Sequence, residues 1–417
     1  MTIRLSFSTL CLLFVIALTP TAHAQSSGPT QVDYTYGGQA RFTLTIGQGL
    51  PPTTAKLILR TTTTPTTFIH PAEITPLTGG GFTLTAQINL TENPIPAFAT
   101  FQFWWQIDGL DTSQESFLYR DNRFTWSEIT NQPNIRLYWP TSDPTFGQLA
   151  ADLAQQAFTT LAHQYDLTPA QRTPIDVYIY PSTNDLQSAL WLVGREWVGG
   201  HASPELGVIL VALNPTTTPE TARLALGSLI PHELSHLLLY RVYGSESTRL
   251  PRWLDEGLAT NAETRPTTLY AQLLDTALTT NTIIPFTDLC TSFPADTGTA
   301  LLAYAQSASF TTWLTQTYGN AAIRNMLTAS ADGLACDAAA RRTFGQPLAE
   351  LQSNWHASLL AAQSPPSTRP PVPVSFFAPE RVPTFILGAI MAGILLTLIP
   401  RFIASPALPP TSRKRRR

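Results

Sequence analysis

Lysine is nearly missing from this chain of 417 residues: Lys56 and Lys414 are the only two. Charged side chains make up just 13% of it, and no basic face of the kind that binds nucleic acid is present. There is no glycine-rich phosphate loop to suggest nucleotide hydrolysis, and no internal repeat to suggest a solenoid or propeller. Cysteine is scarce as well. Cys11, Cys290 and Cys336 have no neighbouring Cys or His, which argues against a cysteine zinc site. Cys11 falls in the N-terminal apolar run, so the body keeps Cys290 and Cys336, either bridged or as two free thiols. A bridge closing a loop of that length would contribute on the order of 4 kcal/mol.

The formal charge of -3 conceals an asymmetry. Residues 25–400 carry 18 basic and 28 acidic side chains, or -10, whereas residues 401–417 carry six basic and no acidic ones. Body and tail therefore suit different surroundings. Residues 1–24 read as a signal peptide: Arg4, an apolar run from Leu10 to Leu18, and the small-residue site Ala22-His23-Ala24, with an uncleaved anchor as the alternative. Residues 382–400 contain no charge, lie between Arg381 and Arg401, and would span about 28 Å as a helix, enough for one transmembrane helix. The basic residues after it belong in the cytoplasm, so 401–417 is expected inside and the body outside the cell membrane. Residues 363–381, with Pro365-Pro366 and Pro370-Pro371-Val372-Pro373, read as an extended stalk.

The body is expected to be α+β. Over residues 25–130 apolar side chains recur with period two, as in Phe42, Leu44, Ile46; Phe82, Leu84, Ala86, Ile88; and Phe101, Phe103, Trp105, Ile107. Turn residues such as Gly79-Gly80-Gly81 and Asp108-Gly109 separate six or so such strands, which suggests a β-sandwich resembling immunoglobulin-like modules. Residues 131–362 change character. Strands are expected at Ile135–Trp139, Ile175–Tyr180 and Gly207–Leu213, and a helix capped by Asp143 is expected to bury Phe146, Leu149, Ala150, Leu153, Ala157 and Leu161. Helices follow over 269–278, 298–318, 321–327 and 348–360. Gly199-Gly200-His201 reads as a loop whose histidine either meets substrate or is simply exposed.

Of only seven histidines, two stand four apart in His232-Glu233-Leu234-Ser235-His236. That spacing puts both imidazoles on one side of a helix, facing a single ion. A catalytic zinc keeps three protein ligands and one open position, and Glu256, in Trp253-Leu254-Asp255-Glu256-Gly257-Leu258-Ala259, is the best third ligand. Gly257 beside it allows two helices to approach closely. Glu233 cannot easily share the metal face but can reach a water held there, so it reads as the general base. Pro231, just before His232, must start or kink the helix and leaves Gly227 O without its usual donor.

These two motifs resemble the gluzincin metallopeptidases of the MA clan, in particular a bacterial peptidase MA-like group, loosely from about Ile135 to Leu360. The resemblance implies zinc (one ion) on His232, His236 and Glu256, with Glu233 as base, and a peptide or protein substrate. It implies a gluzincin-type domain over 131–362, with Gly207–Leu213 as the sheet edge along which substrate would add. Tyr304 would donate to the oxyanion, or is a core tyrosine. Where the thermolysin-like branch carries an acid four residues after its glutamate ligand, this chain has Thr260, so support for a histidine must come from Asn261, Glu263 or backbone. The expected protein is an exported, membrane-anchored zinc peptidase; the alternative is an inactive surface binding protein with a peptidase-like body.

Overall fold

The computed structural model describes residues 28–61, 67–92, 97–190, 199–214, 217–264 and 268–363. The expected signal peptide, the transmembrane segment, the basic tail and all but the first residue of the stalk lie outside these. Among the described residues, no helix is long and apolar enough to cross a membrane. They divide into two compact units, one within Met1–Ile95 and Thr100–Leu118, the other within Pro96–Ala99 and Tyr119–Arg417.

The first unit holds β1 (Gln31–Tyr34), β2 (Gln39–Ile46), β3 (Ala55–Thr61), β4 (Thr67–Pro71), β5 (Glu73–Pro76), β6 (Phe82–Asn89), β7 (Thr100–Ile107), β8 (Leu110–Asp111) and β9 (Glu115–Leu118). One antiparallel sheet runs β1-β2-β6-β5; the other runs β4-β3-β7-β8, with β9 also paired to β7. Alternation decides which side chains go inward: Phe42 and Leu44 on β2, Leu84 and Ala86 on β6, Phe101, Phe103 and Trp105 on β7 are all buried. The sheets meet through aromatic edges, with Phe42 T-shaped against Phe103 at 5.2 Å and against Phe117 at 5.3 Å. Among the described residues nine strands stand where six or so are expected, because β1, β5, β8 and β9 are too short to show a period.

In the second unit, β10 (Ser127–Ile129), β11 (Ile135–Trp139), β12 (Ile175–Tyr180), β13 (Gly200–Ser203) and β14 (Val208–Ala212) form a mixed sheet in the order β10-β11-β12-β14-β13. The chain passes into this unit for good at Tyr119, ahead of the 130/131 boundary expected from the sequence. The reason is that Asp121, fully buried, accepts from Tyr180 at 3.0 Å, and Trp126 stacks edge-on against Tyr178 and Tyr180. These aromatics cover one face of the sheet. The other face, Leu137, Val177, Ile179, Ile209 and Val211, packs on helices.

Those helices are α1 (Pro144–Gln164), α2 (Thr183–Leu190), α3 (Pro219–Tyr243), α4 (Arg252–Ala262), α5 (Thr268–Thr280), α6 (Thr297–Ala331), α7 (Cys336–Phe344) and α8 (Leu348–Gln363). Asp143 caps α1 as expected, accepting from Thr145 N at 2.9 Å. Gly319, at φ +81°, breaks α6, which accounts for two helices being read there from sequence. Helix α3 is buried almost all round from Ala225 to Leu239; it is the central element of the unit, tied to the end of α1 by Tyr165 OH and Ser235 Oγ at 2.6 Å.

One expectation about the sheet is overturned. Gly207–Leu213 was read as its edge, yet β14 lies inside, parallel to β12 and antiparallel to β13. Among the described residues the edge on that side is β13, whose Gly-His-Ala-Ser sequence has no apolar period and suggests a loop.

Candidate active site

Helix α3 carries His232, Glu233 and His236, and α4 carries Glu256; all four are buried. Pro231 neither starts α3 nor ends it: the helix begins twelve residues earlier, with Thr218 as its cap. Helices α4 and α6 come close enough to bury Glu256 because Gly257 has no side chain. A Cβ there would stand 2.6 Å from Ser307 O and 2.4 Å from Thr311 Oγ1.

His232 Nε2 lies 3.3 Å and His236 Nε2 3.6 Å from Glu256 Oε2. The edge of a tetrahedron with metal bonds of about 2.1 Å is roughly 3.4 Å, so these separations fit three ligands around one ion. Among the described residues, these three form the one group of His, Cys, Asp or Glu with a ligand atom each inside 4.8 Å of the others. The opposite ring nitrogens are already engaged. His232 Nδ1 meets Glu263 Oε1 at 3.2 Å and His236 Nδ1 meets Asp255 Oδ1 at 2.9 Å, while neither Nε2 meets the geometry of a hydrogen bond. A carboxylate behind each imidazole can accept the Nδ1 proton in a hydrogen bond and direct Nε2 toward a cation, the arrangement a metal-binding histidine needs.

The electrostatics agree with a cation site. Burial opposes charge on His232, but Glu256 and Glu263 outweigh it and push the imidazole up to about 9. Burial likewise opposes charge on His236, and Asp255 with Glu256 raises it well above its ordinary value. Burial alone would raise the Glu256 carboxyl; Arg252, followed by the histidines, holds it well below the usual range. Arg252 pairs with Glu256 Oε1 and, at 3.3 Å, with Asp255 Oδ2. A field that favours a proton on those imidazoles favours a divalent cation in its place.

Glu233 stands apart from this set. Burial pushes its carboxyl up to about 7, and its Oε1 has no hydrogen-bond partner among the described residues. The backbone of β13 passes close over it: a Cβ on Gly200 would be 2.7 Å from Glu233 Oε1. Thus Gly200 of this segment, rather than His201, is brought against the site. His201 sits on β13 opposite Leu210, partly buried, with its imidazole pushed down to about 4 by that burial. Tyr304 of α6 is fully buried, its ring 6.5 Å from that of His232 and its hydroxyl without a hydrogen-bond partner among the described residues.

Of the candidates for supporting a histidine, Glu263 does so; Asn261 instead donates to Ala308 O at 3.0 Å, and Thr260 is buried, its hydroxyl without a hydrogen-bond partner among the described residues. Sequence reasoning missed Asp255, the residue before the third ligand. Cys290 and Cys336 are bridged. The segment ending at Cys290 caps α4, since Arg252 N donates to Cys290 O at 2.9 Å and Trp253 N to Leu289 O at 3.0 Å. The bridge therefore braces the helix that carries Glu256.

The profile of the Peptidase MA superfamily matches residues 153–361. Curated protein sequences yield no match. Among solved structures, yeast LTA4 hydrolase in complex with bestatin aligns at 12% identity and a TM-score of 0.33, over 78% of this chain and 62% of that one. An aminopeptidase N family protein from Idiomarina loihiensis aligns at 9% identity and a TM-score of 0.33, over 77% of this chain and 73% of that one.

Proposed function

Because the chain belongs to the Peptidase MA superfamily, we propose that it is a zinc-dependent peptidase whose site is built from His232, His236, Glu256 and Glu233. The observation that carries this is the convergence of two bare Nε2 atoms and one carboxylate oxygen, each imidazole backed by its own carboxylate. Zinc held there would supply Lewis acidity toward a peptide carbonyl and lower the pKa of water. Glu233 takes the proton of the attacking water on its carboxylate and returns it to the leaving amine; a carboxyl raised to about 7 can do both near neutral pH. Tyr304 donates its phenolic hydrogen to the developing oxyanion.

The same reading makes the first unit an immunoglobulin-like module, residues 382–400 a membrane span with the body on the outer side, and peptides or proteins the substrates. Zinc analysis and cleavage of a peptide library by the protein and by Glu233→Gln test it. Both should hold zinc, and the variant should cleave roughly 100- to 10,000-fold more slowly. Zinc uptake without Glu233-dependent cleavage would leave a metal-binding surface protein in place of an enzyme.

A further inference from the structure

Pro231 has no N–H to give Gly227 O, the acceptor four residues back in α3. In a helix this buried, that carbonyl would be an orphan. It is not, because Thr264 donates to it twice, from its amide at 2.9 Å and from its hydroxyl at 2.8 Å. The hydroxyl can come so close only because residue 227 is glycine: a Cβ there would stand 2.3 Å from Thr264 Oγ1. Proline and glycine are the two residues a helix interior ordinarily avoids. Here one frees the acceptor and the other clears the approach to it.

Thr264 directly follows Glu263, the carboxylate behind His232. Helix α4 ends at Ala262, and Glu263, its C-cap, has already turned extended (φ -60°, ψ 131°), so the helix no longer fixes the direction in which the chain leaves it. The bonds from Thr264 to Gly227 O do fix it, and they do so on the same helix, α3, that carries His232. We infer that Pro231, Gly227 and Thr264 form a latch that seats Glu263 on His232, making Pro231 a positioning residue for the metal ligand beside it. This rests on the reading of His232 as a ligand.

The test uses the full chain and its Pro231→Ala, Thr264→Val, Glu263→Gln and Pro231→Ala/Glu263→Gln variants. Cobalt and zinc affinities are measured by competition titration, together with thermal unfolding of the metal-free proteins. Pro231→Ala restores a helical hydrogen bond, so its metal-free melting temperature should stay level or rise while its metal affinity falls roughly tenfold, the low end for lost outer partners of a metal ligand. Thr264→Val, at an exposed position, should lose a similar factor. In the Glu263→Gln background Pro231→Ala should cost nothing more, because its effect passes through that carboxylate. Unchanged affinity in both single variants would overturn the latch, as would a loss from Pro231→Ala that persists in full without Glu263. Hydrogen exchange at the Thr264 amide needs no metal: protection in the parent protein that drops in Pro231→Ala supports the latch, and an unprotected amide in the parent overturns it. If the parent takes up neither ion, the metal-site reading fails, and the exchange result still decides the latch.

Discussion

The two units bury different things. In the first, the interior is aliphatic and aromatic, and Thr61 is the one polar side chain buried among its described residues. In the second, His232, Glu233, His236 and Glu256 are buried on two helices, and Glu263 is buried at the end of one of them. Burying a charge is costly unless it is paired or coordinates a metal. A fold with no other use for such groups could replace them with packed apolar ones, so their concentration is what supports the proposed site. The sheets of the first unit explain their own sequence; in the second, the buried groups pair with one another and with Arg252 around the proposed cation site.

The contrast can be broken from either side. Phe42→Ala removes the ring that joins the two sheets of the first unit and should destabilise it by about 3–5 kcal/mol, seen in chemical denaturation, with zinc affinity unchanged. A matching fall in zinc affinity would show that the units are not independent. Asp255→Asn keeps the shape behind His236 but removes its charge, and zinc affinity should drop by roughly 10- to 100-fold with little change in melting temperature. Equal affinity would mean that Asp255 only braces Arg252. The smallest effect is expected at Asp337, which makes no contact with the proposed ligands. Asp337 accepts from Leu348 N and from Arg341 Nε, both at 2.8 Å, and these hold its carboxyl below its ordinary value of 3.8. Its contribution is complete above 3.8 and is lost as pH falls through the lowered folded value. Asp337→Asn should therefore flatten the loss of stability below that pH, without altering zinc affinity near neutrality.

What could be read in advance follows from range. The four-residue spacing of His232 and His236, the Asp143 cap and the period-two strands are local, and each stands where the sequence placed it. Glu256 was legible only as the most suitable carboxylate in a second motif. The rest depends on how helices cross. Asp255 and Glu256 are consecutive and point about 100° apart on a helix, so nothing in their spacing says that one reaches Nδ1 of His236 while the other reaches the space before its Nε2. Likewise β13 is a strand only because β14 lies beside it, and α7 has too short an apolar period to stand out. Pro231 was visible as a break in hydrogen bonding; that Thr264 would mend it was not.

The cap on α4 bears on how the protein can be cut down. No side chain closes that helix; its first amides are met by carbonyls of Leu289 and Cys290, and Cys290 is bonded to Cys336. A fragment ending shortly after α4 would retain every proposed ligand and still forfeit the brace that orients Glu256. The smallest fragment that keeps this brace must therefore reach past residue 336, some eighty positions beyond the last proposed ligand.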